Sequence, residues 1–410
     1  MGGCFRIQFG IVYSNQNKKI MKHGQSLFLA LVSLFFMWAL AHNLNPILIA
    51  KLRQSFQLSD TKAMLVDSAF YIAYFIMALP SAFLIAKMGY QKTILLGLGL
   101  FASGILGFVP ASFLHSYVFF LGALLLIGLG ITMLEAAANP LITRISAPEQ
   151  QVYRLNLAQS FNGLGAMVAA GLGGFLLLDE TDQNGHLETT PFIVLALIIV
   201  CLMFVIYRLK FPMFQETSLD EPSNSNDIFK NKSFVMSVVA QFLYVGSQIG
   251  ISSFFIRYMS LYFSHSMQES AYYLSLSLAF FTTGRFIGSW MMRRWPAEQI
   301  LLFFSLGAVV CTLGVVLAQP FSQFFLLALP FFMSIMFPTI FALGIGSLQS
   351  NKVRGGAFIV MTISGGALIP FAMAQLAQWS GNLSWAYFLP MVCFCFVGVF
   401  AFYYKRMQHE

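Results

Sequence analysis

Tyr117-Val118-Phe119-Phe120-Leu121-Gly122-Ala123-Leu124-Leu125-Leu126-Ile127-Gly128-Leu129-Gly130-Ile131-Thr132-Met133-Leu134-Glu135-Ala136-Ala137-Ala138-Asn139-Pro140 is an apolar run that encloses one carboxylate, Glu135. About 20 apolar residues cross a bilayer as a helix, so the glutamate lies inside a membrane span. A charged side chain at the centre of such a helix costs about 2.5–3.5 kcal/mol on insertion scales. A chain retains it when the carboxylate faces a wet cavity and exchanges protons there. The alternative is a neutral, hydrogen-bonded glutamic acid that only ties helices together.

Working outward, the 410 residues are 58% hydrophobic and 9% charged, include 45 Phe, and have a mean hydropathy of +0.76. Soluble domains carry roughly 25% charged residues, so composition alone places the chain in lipid. Twelve candidate spans follow, near 26–50, 64–87, 93–112, 116–141, 155–178, 191–209, 233–257, 269–292, 299–317, 321–347, 355–378 and 384–404. Little chain is left for a soluble domain. Residues 1–25 read as a cytoplasmic tail, 26–210 as one six-helix bundle, 211–232 as a polar linker, 233–404 as a second bundle and 405–410 as a tail.

The net charge of +8 does not point to nucleic acid. With both ends inside, the inner loops and tails hold 18 of the 23 Lys and Arg, and the outer stretch from Asp179 to Glu188 carries only acidic charges. That bias orients both termini to the cytoplasm. The expected location is a bacterial cytoplasmic membrane, the expected state a monomer. The five cysteines are an odd number, four of them within spans, and read as packing residues. Lys18, Lys19 and Lys22 before the first apolar run resemble a signal peptide, but the run continues to Ala50, so an uncleaved first span is expected. Met21 is an alternative start.

The two halves echo one another at an offset near 200 residues. Lys87-Met88-Gly89-Tyr90-Gln91-Lys92 answers Arg293-Arg294, Pro140 answers Pro338, and Gly163 and Gly165 answer Gly365 and Gly366. Together these imply an all-α membrane protein built as a parallel repeat of two six-helix bundles, with substrate held between them at mid-depth.

Polar residues inside the spans are few. Trp38, His42 and Asn45 share a face of span one, with Asn43 beside them. Asn156, Gln159 and Asn162 recur at steps of three in span five, and Gln241, Tyr244, Gln248 and Ser252 lie on one face of span seven. Neutral amides interleaved with aromatic rings suit an uncharged polyhydroxylated solute, since amides both donate and accept while rings cover the C–H side of a sugar. Alternatively, amides hold helices together at roughly 0.6 kcal/mol each. Arg285, in Thr283-Gly284-Arg285-Phe286-Ile287-Gly288, is a fixed charge in the second half that reads as a structural cation reaching a loop or helix end near the inner surface, with an anionic substrate as the alternative.

These motifs carry a resemblance. Asn43-Leu44-Asn45, Leu134 to Pro140, Leu155-Asn156-Leu157-Ala158-Gln159-Ser160-Phe161-Asn162, Ala240-Gln241-Phe242 with Tyr244-Val245-Gly246, Gly284-Arg285-Phe286, Phe337-Pro338-Thr339-Ile340-Phe341 and Phe358 to Ile363 stand in the order found in the fucose permease branch of the major facilitator superfamily. The chain is similar to these sugar–proton symporters from about Leu27 to Tyr404. The resemblance implies that Glu135 links substrate to proton and that Gln159 and Asn162 line the sugar site with Asn43. Trp38, Gln241, Tyr244 and Gln248 complete the candidate site.

Two departures stand out. Family members usually place an aspartate directly after Asn-Leu-Asn, where this chain has Pro46, and a tryptophan where it has Ser252. Two nearby groups are candidates to replace the aspartate. His42 lies one turn from Pro46 and carries the side chain whose charge changes nearest neutral pH. Asp67 stands at similar depth in span two, where relatives usually have glutamine. The partners expected are a neutral monosaccharide, protons and the bilayer, with no cofactor. An uncoupled sugar facilitator and a drug–proton antiporter remain as alternatives. An enzyme would need a convergent set of acids, bases or metal ligands, and the chain shows neither metal-ligand spacing nor a nucleophile motif.

Overall fold

The structure is a computed structural model that describes residues 25–40, 43, 60–114, 116–177, 190–212 and 227–407. His42, Asn45, Pro46 and the Asp179–Glu188 stretch lie outside the described residues, as does the side chain of Asp67, whose backbone is helical. Every described element is a helix: α1 (Gln25–Leu40), then α2 (Asp60–Phe113), α3 (Tyr117–Arg144), α4 (Gln151–Leu177), α5 (Thr190–Arg208), the short α6 (Asp227–Lys230), α7 (Lys232–Phe263), α8 (Met267–Met291), α9 (Ala297–Leu317), α10 (Ser322–Met333), α11 (Met336–Gly346), α12 (Lys352–Met361), α13 (Gly365–Ser380) and α14 (Phe388–Met407). Among the described residues, seven helical stretches are long and apolar enough to cross a bilayer, and Gln25–Leu40 and Phe192–Arg208 are shorter apolar helices. Leu197, Phe204, Phe303, Val310 and Phe402 are each more than half exposed on the outer surface, as befits a surface solvated by hydrocarbon.

The twelve expected spans appear with three differences in their boundaries. Spans two and three run together as the 54-residue α2, with the chain turning at Gly89, whose φ is +82° and ψ 168°. That region is essentially open to glycine alone, so the turn needs no longer loop. Gln91, just beyond it, donates through Nε2 to the carbonyls of Ile206, Tyr207 and Leu209 at 3.0, 3.1 and 2.9 Å, closing the carbonyl end of α5.

Span ten is broken between α10 and α11 at Ser334-Ile335, and span eleven between α12 and α13 by the tighter turn Thr362–Ser364. The first break follows from the sequence. Pro338 stands four residues after Ser334 and has no N–H, so the Ser334 carbonyl loses its helical donor.

The two halves meet along paired surfaces. A Cβ on Gly163 of α4 would lie 3.1 Å from the Thr282 hydroxyl of α8, and one on Gly366 of α13 would lie 2.8 Å from the Tyr71 ring of α2. Of the four glycines that echo each other in sequence, Gly163 and Gly366 thus face the opposite half, while Gly165 and Gly365 pack against Phe36 and Phe242 of their own. Nearer the end of the molecule that carries Arg144, Gln151, Lys232 and Lys352, Asn156 Nδ2 donates to Thr339 Oγ1 at 3.1 Å, Ser160 Oγ and Ser289 Oγ lie 3.5 Å apart, and a Cβ on Gly356 would sit 3.1 Å from Pro140. That end is closed.

Candidate functional site

Above this closed end the halves diverge around a cavity of about 1040 Å³. Its wall includes Trp38 and Asn43 from the first span, Phe70, Tyr71 and Tyr74 from α2, Glu135 from α3, Gln159 and Asn162 from α4, Gln248, Ser252 and Arg257 from α7, Phe281 and Arg285 from α8, and Phe337 from α11. It extends toward the end of the bundle where α7 finishes and α8 begins.

Glu135 is 9% exposed at the cavity wall. Oε1 accepts from the Tyr74 hydroxyl at 3.2 Å, and Oε2 has no hydrogen-bond partner among the described residues. One carboxylate oxygen is therefore tied to α2, while the other is buried and makes no hydrogen bond among the described residues. Glu135 is the only carboxylate among the described lining residues.

Two members of the α4 stripe, Gln159 and Asn162, reach the cavity, while Asn156 does not. Asn162 Nδ2 donates to the Phe35 carbonyl of α1 at 3.3 Å, and Gln159 Nε2 donates to Asn139 Oδ1 at 3.4 Å. Trp38 packs against Phe35 with ring centroids 4.2 Å apart, and Asn43 donates back to the Ala39 carbonyl at 2.8 Å. Gln248 lines the opposite wall. The structure thus brings together Glu135, Trp38, Asn43, Gln159, Asn162 and Gln248. Gln241 and Tyr244 are not part of the wall: both are fully buried on α7, beyond the cavity's closed end.

Arg285 reaches a helix end, as expected, but not near the inner surface: it is 4% exposed in the cavity wall at the junction of the halves. Nε donates to the Ser334 carbonyl at 3.0 Å, the acceptor that Pro338 leaves free. Nη1 donates to the Gln159 carbonyl and to Asn162 Oδ1, the latter at 3.2 Å, and the guanidinium lies 4.5 Å from the Phe281 ring centroid. Its bonds therefore join α8, α4 and the helix break of span ten, and it makes no ion pair among the described residues. Reading the sequence did not single out Tyr74, Arg257 or Phe337. A tyrosine or phenylalanine is ordinary in a span, and nothing local marks Tyr74 as the partner of a residue 61 positions away.

Chemically, the described wall residues offer amides, the phenols of Tyr71 and Tyr74, serine hydroxyls and ring faces, with the carboxyl of Glu135 and the guanidinium groups of Arg257 and Arg285. No group of three His, Cys, Asp or Glu side chains able to hold a metal occurs among the described residues.

Known proteins share this arrangement. A family model described as Major Facilitator Superfamily matches residues 27–365. The chain is 33% identical to the L-fucose-proton symporter of Escherichia coli, over 91% of this chain and 92% of that protein. It is 34% identical to the glucose/galactose transporter of Brucella abortus, again over 91% and 92%. The crystal structure of the E. coli fucose:proton symporter in the outward conformation superposes with a TM-score of 0.82 at 33% identity, covering 92% of this chain and 98% of that one. A bacterial homologue of the iron transporter ferroportin, in an outward-facing state, shares the fold with a TM-score of 0.68 at 16% identity. Twelve spans in two echoing halves, a cavity between them and these matches lead to one conclusion: the chain is a multi-pass membrane transporter that belongs to the major facilitator superfamily, in the branch of the fucose–proton symporters and glucose/galactose transporters.

Proposed function

We propose that the chain imports a neutral hexose or deoxyhexose together with protons, by alternating access, with both termini in the cytoplasm. The observation that carries this is Glu135: the one carboxyl among the described residues of the cavity wall, held by Tyr74 on one oxygen and without a partner among those residues on the other. Around it stand neutral amides and aromatic rings, the chemistry that recognises uncharged polyols. The Nε and Nη1 donors of Arg285 are used by helix carbonyls and by Asn162, which supports a structural role for it, and Arg257 is the second cation of the wall. The relatives named for fucose and for glucose and galactose support a monosaccharide and leave its identity to a transport assay. In this orientation the closed, basic end is cytoplasmic and the structure represents an outward-facing state.

Pro46, in place of the family's usual aspartate, supports a second reading, an uncoupled sugar facilitator. In the coupled reading, His42 or Asp67 assists Glu135. Uptake of labelled L-fucose, D-glucose and D-galactose into membrane vesicles under an imposed pH gradient decides between them. We expect uphill accumulation by the wild-type chain, loss of accumulation with exchange retained in Glu135→Gln, and an altered pH dependence in Asp67→Asn, His42→Gln or the double variant. Accumulation by Glu135→Gln on a pH gradient would make Glu135 structural. Wild-type pH dependence in all three of the others would remove His42 and Asp67 from the mechanism.

A further inference from the structure

Four polar side chains stand one or two helical turns past cavity-wall residues, toward the closed end. On α3, Asn139 follows the wall residue Glu135 by one turn. On α4, Asn156 precedes the wall residue Gln159 by about one turn. On α7, the face that presents Val245, Gln248 and Ser252 to the cavity continues back to Gln241, with Tyr244 beside it. Because α3 runs toward the closed end while α4 and α7 run away from it, each step leads the same way, away from the mouth. All four side chains are 0% exposed.

Their hydrogen bonding is incomplete. Asn139 Oδ1 accepts from Gln159, and Asn156 Nδ2 donates to the Val152 carbonyl and Thr339 Oγ1. Asn139 Nδ2, Asn156 Oδ1, the Tyr244 hydroxyl and both polar atoms of the Gln241 amide have no partner among the described residues. Buried polar groups are almost always satisfied, and a cluster of exceptions calls for a physical reason. Helix glue accounts for one side-chain atom each of Asn139 and Asn156 and for none of Gln241 and Tyr244, because a residue retained to join helices makes the bonds that join them. The orphaned set is uncharged and mixed, offering donors from Asn139, an acceptor from Asn156 and both kinds from Gln241 and Tyr244. A hydroxyl group, donor and acceptor at once, matches that mixture.

We propose that Asn139, Asn156, Gln241 and Tyr244 form a second, inner subsite for the hydroxyl groups of the transported monosaccharide, sealed in this conformation and opened when α3 and α12 part at Pro140 and Gly356. The subsite rests on the sugar-transport reading above. It explains why polar residues on the cavity-facing stripe of α7 lie outside the cavity: they serve the opposite access state.

The test uses Gln241→Cys and Asn139→Cys, each in a chain whose five native cysteines are alanine, in vesicles of both orientations with a membrane-impermeant maleimide. L-fucose, D-glucose and D-galactose are the probes, and uptake by the parent shows which of them is carried. We expect labelling only from the face closed in this structure, slowed about fivefold or more by the carried sugar. Labelling from neither face overturns the proposal, because these side chains are then a sealed core. Labelling that the carried sugar does not slow overturns it too, because they then line only a water path. A parent that carries none of the three sugars defeats the transport reading before any variant is examined, and the subsite falls with it. Gln241→Met, nearly isosteric and without the amide, covers a cysteine variant that fails to insert. The ratio of efflux KM to influx KM should rise about tenfold, the scale of one hydrogen bond lost to a bound hydroxyl, and an unchanged ratio overturns the proposal.

Discussion

At the residue scale the site depends on side chains that bridge helices. Asn162 is the clearest case: its Nδ2 holds the Phe35 carbonyl of α1, and its Oδ1 accepts from Arg285 of the other half. A sugar hydroxyl that pairs with Asn162 therefore competes with Arg285, so occupancy of the site is felt at the junction of the halves. Gln159→Ala and Asn162→Ala should each weaken sugar binding by about 1–3 kcal/mol, the cost of leaving a buried polar partner unpaired. Equilibrium binding of the carried hexose to purified protein measures this, and unchanged affinity with reduced membrane yield would assign these amides to helix packing instead. The members of this set that could be found from sequence share one property. Glu135, Asn43, Gln159, Asn162 and Gln248 are polar residues in apolar runs, where each is costly unless it has a use. Tyr74 and Phe337 could not be found that way, since their roles come only from which helices touch. Arg285 was visible as a charge but not as a bridge, because its acceptors lie on α4 and at a break created by a proline 53 positions away.

At the element scale the helices end and bend for identifiable reasons. Asn231 caps α7, accepting from the Phe234 N–H at 3.0 Å through its side chain, and its Nδ2 donates to the Ser347 carbonyl at 2.8 Å where α11 ends. Ser266 and Glu269 form a capping box at the start of α8. Gly89 is the sharpest requirement. A Cβ there would meet nothing within 4 Å, so the cost of Gly89→Ala is backbone strain without crowding. It should destabilise the protein by about 1–3 kcal/mol. Gly122 in α3 is the matched control: its Cβ would also meet nothing within 4 Å, and its φ is not positive. Gly122→Ala should be neutral or stabilise by about 0.5–1 kcal/mol. Thermal unfolding of the two variants in the same detergent tests the pair, and equal midpoints would refute the strain at Gly89. Spans were legible because hydrocarbon demands about 20 apolar residues. The breaks within spans ten and eleven leave no mark in apolarity, which continues through them; Pro338 accounts for the first, and in the second only hydrogen-bond geometry changes.

At the scale of the whole molecule, the cavity, the closed end and the charge distribution form one system. The contacts that seal the cavity, Pro140 against Gly356 and Asn156 against Thr339, lie toward the end that carries Arg144, Lys232 and Lys352. In the proposed orientation, which follows the positive-inside bias, that end faces the cytoplasm, and a solute in the cavity proceeds only if α3 and α12 separate. A disulfide between Pro140→Cys and Gly356→Cys should prevent this. The 3.1 Å between a Cβ at 356 and the Pro140 ring places the two Cβ atoms close to the separation that a disulfide needs, about 3.5–4.5 Å. We expect oxidation to arrest sugar uptake and reduction to restore it. Adding Ser252→Cys, which lies in the cavity wall, lets the locked protein report its own orientation. An impermeant thiol reagent should label position 252 from outside intact cells at an undiminished rate while transport is stopped. Continued turnover of the cross-linked protein would show that this end need not open. Labelling of position 252 only from the cytoplasmic side would show that the cavity faces inward and reverse the assigned topology. Arrest with outside labelling leaves alternating access as the remaining account, because a carrier whose substrate passed through a standing pore would expose the cavity to both sides at once.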